Sequence, residues 1–185
     1  MAKCLDFFQI PCIRIAPSAI KDLKLLTAGY GHRYLIFTYC KSVEEEVKQK
    51  IRDSFEKTVK ENDREFTNKA GRMAGIEGGL VCTYPHDRID DIQIEYKFID
   101  IEGQQVTLEN IEKAAEEIKD FNADVVVIAG GGKGYDIIRS AMNLFGGYFR
   151  PRLLIIPTTL STNAPMTNAS VQYKEDGTIS GFWTM

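Results

Sequence analysis

The stretch VVIAGGGKGYD, Val126–Asp136, sets three glycines and a lysine directly behind an apolar run. That run starts in ADVVVIAG, Ala123–Gly130. A β-branched segment without alternation is what a strand covered on both faces of a parallel sheet requires. Helical spacing follows over Tyr135–Phe145 and is closed by Gly146-Gly147. A strand delivering Gly130, Gly131 and Gly132 to a helix start is a good anion seat. Without Cβ atoms the backbone can approach a diphosphate, and the first-turn amides point at it with the helix dipole behind them. Lys133 adds a charge, and Asp136 falls about one turn into the helix. The competing reading is a plain tight turn. The spacing fits neither common nucleotide fingerprint. No Ser or Thr follows Lys133 as a P-loop needs, and Tyr135 stands where G-x-G-x-x-G needs its third glycine.

Working outward, RYLIFTY (Arg33–Tyr39) reads as a second buried strand. Ser42 with Glu45 three residues on reads as a capping box. It opens a helix carrying Val43, Val47, Ile51, Phe55 and Val59, expected to run to about Asn68. IQIEYKFI (Ile92–Ile99) alternates like a half-exposed strand. Thr107 caps a helix whose buried face is Leu108, Ile111, Ala115, Ile118 and Phe121. RLLIIPTT (Arg152–Thr159) is a further buried strand, and NASVQYKEDGTISGF (Asn168–Phe182) alternates around a Lys-Glu-Asp-Gly turn as a hairpin does. Alternating strands and helices predict one α/β domain over residues 1–185. It is Rossmann-like, with a doubly wound parallel sheet and a C-terminal β-hairpin. No terminal helix follows the hairpin before Met185, so the chain reads as cut short.

Composition narrows the partners. The 185 residues are 44% hydrophobic and 26% charged, with a net charge of −3. No basic stripe interleaves with aromatics, which argues against nucleic acid. No apolar stretch reaches membrane-spanning length and no leader is legible, so a cytoplasmic protein is expected. Cys4, Cys12, Cys40 and Cys82 form no C-x-x-C pair, and His32 and His86 have no ligand-spaced partner; reduced thiols and ordinary histidines are expected. The charged helix after Ser42 and the loop around His86–Asp91 read as solvated surface.

A hydroxyl-rich segment, PTTLSTNAPMTNASVQY (Pro157–Tyr173), leaves the Arg152 strand. It offers Thr158, Thr159, Ser161 and Thr162. Ligands of open α/β sheets lie beyond the carboxyl ends of strands, so this loop and the glycine turn would face one crevice. Ser/Thr capping of the loop's own backbone is the plainer alternative. Together the two loops favour a dinucleotide.

GGGKGYD followed by PTTLSTNAPMTNASVQYKEDG resembles the N-terminal half of the glycerol dehydrogenase group. That group lies in the iron-containing alcohol dehydrogenase and dehydroquinate synthase superfamily. The resemblance is specific over Ala123–Gly177, looser over Ile13–Glu46 and Ile99–Phe121, and interrupted by an insertion around residues 54–95. It implies NAD as cofactor. The diphosphate would rest on Gly130, Gly131, Gly132 and Lys133, with Asp136, Thr158, Thr159 and Ser161 around it. It implies hydride transfer from a small alcohol or polyol, assisted by zinc or iron. The chain departs from the family pattern in three places, one of them Pro17 and Ser18 where a glycine usually follows the first strand. Asn163 replaces the substrate-facing aspartate, leaving no catalytic residue in this chain, and Tyr39 stands where an acid usually meets the adenosine ribose. The family's helical metal-binding domain, with its aspartate and two histidines, has no counterpart in these residues. The expectation is the NAD-binding domain of a glycerol-type dehydrogenase, inactive alone and compatible with a homo-oligomer. The alternative is a non-catalytic nucleotide-binding regulatory or assembly protein.

Overall fold

The structure is a computed structural model describing residues 19–27, 30–56, 93–145, 151–159, 164–167 and 169–184. Four strands form one parallel sheet: β1 (Arg33–Tyr39), β2 (Glu95–Asp100), β3 (Val125–Gly130) and β4 (Arg152–Pro157). Their order is β2-β1-β3-β4. The chain moves outward from β1 to β2, then returns past β1 to β3. The loops at the carboxyl ends of β1 and β3 therefore part in opposite directions, which opens a crevice there. Tyr39 pairs with Gly130, and Gly130 with Pro157, so the three strands end level at that crevice.

Helices cover both faces, as expected of a doubly wound sheet. On one side α1 (Leu23–Thr27) and α2 (Glu44–Glu56) pack Leu23, Val47, Ile51 and Phe55 on Tyr34, Ile36, Val125 and Val127. On the other, α3 (Leu108–Asp120) and α4 (Gly132–Asn143) bury Ile111, Ile118, Ile137 and Ile138 on Leu35, Phe37, Val126 and Ile128. Each such side chain removed from water contributes about 1.5–3 kcal/mol before the ordering entropy is subtracted. The residues of β1 and β3 alternate between the two cores, which is why neither strand shows polar alternation in sequence.

Several local expectations shift. The α2 cap is not Ser42: the Val43 amide bonds the Cys40 carbonyl in a turn, and the helix begins at Glu44. Glu44, Glu45 and Glu46 set negative charge against the dipole instead, and Glu44 also accepts from the Thr38 hydroxyl at 3.1 Å. The expected extension toward Asn68, and Val59 with it, lie outside the described residues. Thr107 does cap α3, accepting from the Asn110 amide. Leu108, expected on the buried face, is nevertheless 54% exposed, and burial along α3 starts at Ile111. β4 is half-buried rather than buried, since among the described residues only β3 pairs with it.

The hairpin forms as read. β5 (Ala169–Tyr173) and β6 (Ile179–Thr184) pair antiparallel, and Gly177 takes φ +81°, a turn conformation that favours glycine. The hairpin docks on α4 through a 2.8 Å hydrogen bond between the Ser140 and Ser170 hydroxyls. The Tyr173 amide donates to the Val106 carbonyl at 2.8 Å. With sheet on one flank and hairpin on the other, α4 is buried from Ile137 to Met142.

Candidate functional site

The glycines of the bare turn meet two different nearest neighbours, Tyr39 and Thr159. A Cβ on Gly130 would come within 2.6 Å of the Tyr39 carbonyl, and one on Gly134 within 2.6 Å of the Tyr39 Cβ. These two glycines are required by the close approach of β1. Among the described residues, a Cβ on Gly131 would meet only the Thr159 methyl, at 3.2 Å. Gly131 is thus the glycine whose open side faces the neighbouring loop.

Gly131 is also the N-cap of α4, in extended conformation and with no side-chain cap to the first turn. Gly132 follows, half-buried, as the first helical residue. The helix starts there, three residues before the expected Tyr135. The amides opening α4 therefore point out of the crevice floor with the positive end of the dipole.

Lys133 is exposed, and its ammonium donates to the Gln105 side-chain carbonyl at 2.8 Å, bridging to the loop before α3. The Thr158 amide donates to the Gly130 carbonyl at 3.0 Å, so the hydroxyl-rich segment leaves β4 directly beside the glycine turn. Thr158 and Thr159 are half-buried. Ser161 and Asn163 lie outside the described residues, as does His86. His32 is exposed and sits 3.6 Å from Asp124 at the opposite end of the sheet. Cys40 is a buried free thiol, pushed up by burial and by Glu44 and Glu102.

Asp136 turns away from the turn toward the hairpin, where its carboxyl accepts from the Val171 amide. Burial pushes it up to about 6, against the opposing pull of Arg139 and that amide.

Two residues that sequence reasoning passed over hold the loops. Tyr135 is fully buried; its hydroxyl donates to the Gly130 carbonyl and faces the Thr158 amide. Burial pushes the phenol up to about 12, keeping it a donor at any ordinary pH. Arg139 is 2% exposed, and its guanidinium donates to the Ala164 and Ala169 carbonyls, each at 2.7 Å. A signal existed for both: Tyr135 breaks a nucleotide fingerprint, and Arg139 follows Asp136 at the i+3 spacing of a helical ion pair.

No three His, Cys, Asp or Glu side chains come together to hold a metal ion among the described residues. None of their helices is long and apolar enough to cross a membrane. The site is a glycine turn at a helix start, with the Lys133 ammonium and the threonines that follow β4 beside it.

A family model described as iron-containing alcohol dehydrogenase matches residues 81–184, which includes the glycine turn, both loops and the hairpin. The chain belongs to that family. A family relative, glycolaldehyde reductase of Halobacterium salinarum, is 35% identical over 75 residues, covering 40% of this chain and 20% of its own length. A probable glycerol dehydrogenase from Sinorhizobium meliloti superposes with TM-score 0.57 at 18% identity, covering 90% of this chain and 33% of its own. An NADH-dependent butanol dehydrogenase A from Thermotoga maritima gives 0.54 at 16% identity, covering 85% and 35%. These structural likenesses establish a shared fold, and the chain spans a fifth to about a third of those three proteins' lengths.

Proposed function

We propose that this chain is the coenzyme-binding part of a metal-dependent alcohol or polyol dehydrogenase, with NAD as the coenzyme. The observation that carries the reading is Gly131: an uncapped helix start at the switch point of a parallel sheet, its open side toward Thr159. The backbone amides of Gly131, Gly132 and Lys133 would meet the diphosphate. The Lys133 ammonium, on a flexible stem, would exchange Gln105 for a phosphate oxygen. Thr158 and Thr159 would line the opposite wall, with Ser161 beyond them. Asp136 would act from one turn below, through the hairpin contact. Bound NAD would supply the hydride acceptor for an alcohol carbon. The NADH dependence of the butanol dehydrogenase supports this choice of coenzyme.

The described residues hold no metal set, so no step is assigned to a metal here. This chain alone is expected to bind NAD without oxidising glycerol. The second reading is a nucleotide-binding module without catalysis. It is favoured by Tyr39, whose side chain, not a carboxylate, closes the end of β1 over the glycine turn.

Calorimetric titration of the chain with NAD, NADP and ATP tests the proposal. An NAD signal abolished by Gly131→Val is expected; absence of any NAD signal in the unmodified chain would overturn it. Metal-dependent NADH formation from glycerol by the chain alone would overturn the expectation that it lacks activity.

A further inference from the structure

Tyr135 occupies the position that broke the nucleotide fingerprint, and the structure gives it a task. Its ring is fully buried beneath the crevice, between β3 and the start of the hydroxyl-rich loop. Its hydroxyl donates to the carbonyl of Gly130, the last residue of β3. The same hydroxyl faces the amide of Thr158, the first residue beyond β4. That amide also donates to Gly130, so one carbonyl, one amide and one phenol form a closed junction. The junction joins the two segments that would grip a dinucleotide from opposite sides. Gly131 follows one partner in sequence and Thr159 the other, and a Cβ placed on Gly131 would lie 3.2 Å from the Thr159 methyl.

We infer that Tyr135 is a positioning residue for the coenzyme site, its hydroxyl fixing the spacing between the glycine turn and the Thr158–Thr159 wall before ligand arrives. The inference rests on the proposed dinucleotide reading. It goes beyond that reading, because the latch is a side chain that touches no ligand and that neither nucleotide fingerprint contains. A preformed spacing spares the ligand the ordering cost of bringing two loops together, so its loss is felt in affinity. Burial favours the neutral phenol, so the latch is insensitive to pH across the range in which the chain would work.

Tyr135→Phe removes the hydroxyl and leaves the ring, so the core under the crevice is kept. The test is NAD titration of the full chain as wild type, Tyr135→Phe, Thr159→Val and the double variant, well below their melting temperatures. Tyr135→Phe is expected to weaken NAD binding about tenfold, the worth of one hydrogen bond expressed as affinity. Thr159→Val is expected to cost less in the Phe background than in the wild type, because the wall it belongs to is already displaced. A purely structural tyrosine would lower the melting temperature while leaving the Thr159 effect undiminished, and that result overturns the inference. Unchanged NAD affinity in Tyr135→Phe overturns it as well while leaving the dinucleotide reading intact. A wild-type chain that ignores NAD removes both. If Tyr135→Phe does not fold, amide exchange in the wild-type chain decides. Thr158 should be protected to the same degree with and without NAD; protection that appears only with NAD contradicts a preformed latch.

Discussion

The Cβ that Gly134 lacks would lie 2.6 Å from the Cβ of Tyr39. The contact is between α4 and the end of β1, and neither partner can rotate out of it, because a Cβ is fixed by its own backbone. Alanine ordinarily stabilises a helix over glycine by about 1 kcal/mol. Here overpacking, typically about 1–3 kcal/mol, opposes that gain. The near-backbone clash decides the sign. Gly134→Ala should destabilise the chain by about 1–2 kcal/mol, a fall of roughly 5 °C in melting temperature for a chain of this size. Tyr39→Ala keeps the offending Cβ and should not relieve it, whereas Tyr39→Gly should. Thermal melts of the two double variants check this, and an unshifted Gly134→Ala refutes it.

Asp136 makes stability depend on pH in a direction unusual for a carboxylate. Burial between α4 and the hairpin raises it to about 6 from an ordinary 3.8, more than the Arg139 charge and the Val171 amide lower it. Between those values the native state binds more protons than the unfolded one. The contribution is therefore complete below the unfolded value and is lost as pH rises through about 6. At roughly 1.4 kcal/mol per pH unit, the loss is at most about 3 kcal/mol, and partial solvation reduces it. Urea midpoints measured from pH 4 to 8 should carry this downward component. Asp136→Asn keeps an acceptor for Val171 and should remove it. An identical pH profile in the two proteins would sink the assignment.

How much of this could be read in the sequence depended on whether the governing contacts were local. Val125–Gly130 announced a core strand because each of its side chains meets one of two apolar layers, so no polar alternation dilutes the pattern. The hairpin was legible from its turn chemistry alone. Helix starts were less so. Ser42 looked like a cap, but the Val43 amide is taken by Cys40, a choice made by where β1 ends. At the site, the glycines were visible while their division of labour was not. Gly130 and Gly134 answer to Tyr39, some ninety residues earlier, and Gly131 faces Thr159 of the other loop. Tyr135 and Arg139 read as ordinary helix residues, because their partners come from β4 and the hairpin.

Arg139 should be among the costliest single positions. Its guanidinium is buried and carries two 2.7 Å bonds to carbonyls that bracket the approach to the hairpin. It also sets positive charge beside Asp136. Arg139→Met fills similar volume but leaves the Ala164 and Ala169 carbonyls without that donor and Asp136 without its cation. A loss of about 3 kcal/mol is expected. Arg139→Lys keeps the charge but cannot reproduce the fork, and should fall between. Urea unfolding measures both. Limited proteolysis should find residues 164–169 cut first in the Met variant. A Met variant as stable as the Lys variant would contradict the charged-fork account.

Gly130 and Gly131 are neighbours whose alanine variants should fail differently. At Gly130 the new methyl would press on the Tyr39 carbonyl at 2.6 Å, a backbone atom held in the β1–β3 register. The strands would have to part, so Gly130→Ala should lose about 2 kcal/mol or more and melt early. At Gly131 the nearest atom is a threonine methyl at 3.2 Å, a side-chain end that can shift by a few tenths of an ångström. Gly131→Ala should therefore keep close to wild-type stability. Under the proposed reading, its methyl projects into the gap where a diphosphate approaches the uncapped helix start, and NAD affinity should fall at least tenfold. Paired melting and NAD titration separate the two variants. If Gly131→Ala bound NAD like the wild type, the gap between the glycine turn and Thr159 would not be the diphosphate seat, however well the fold tolerated the change.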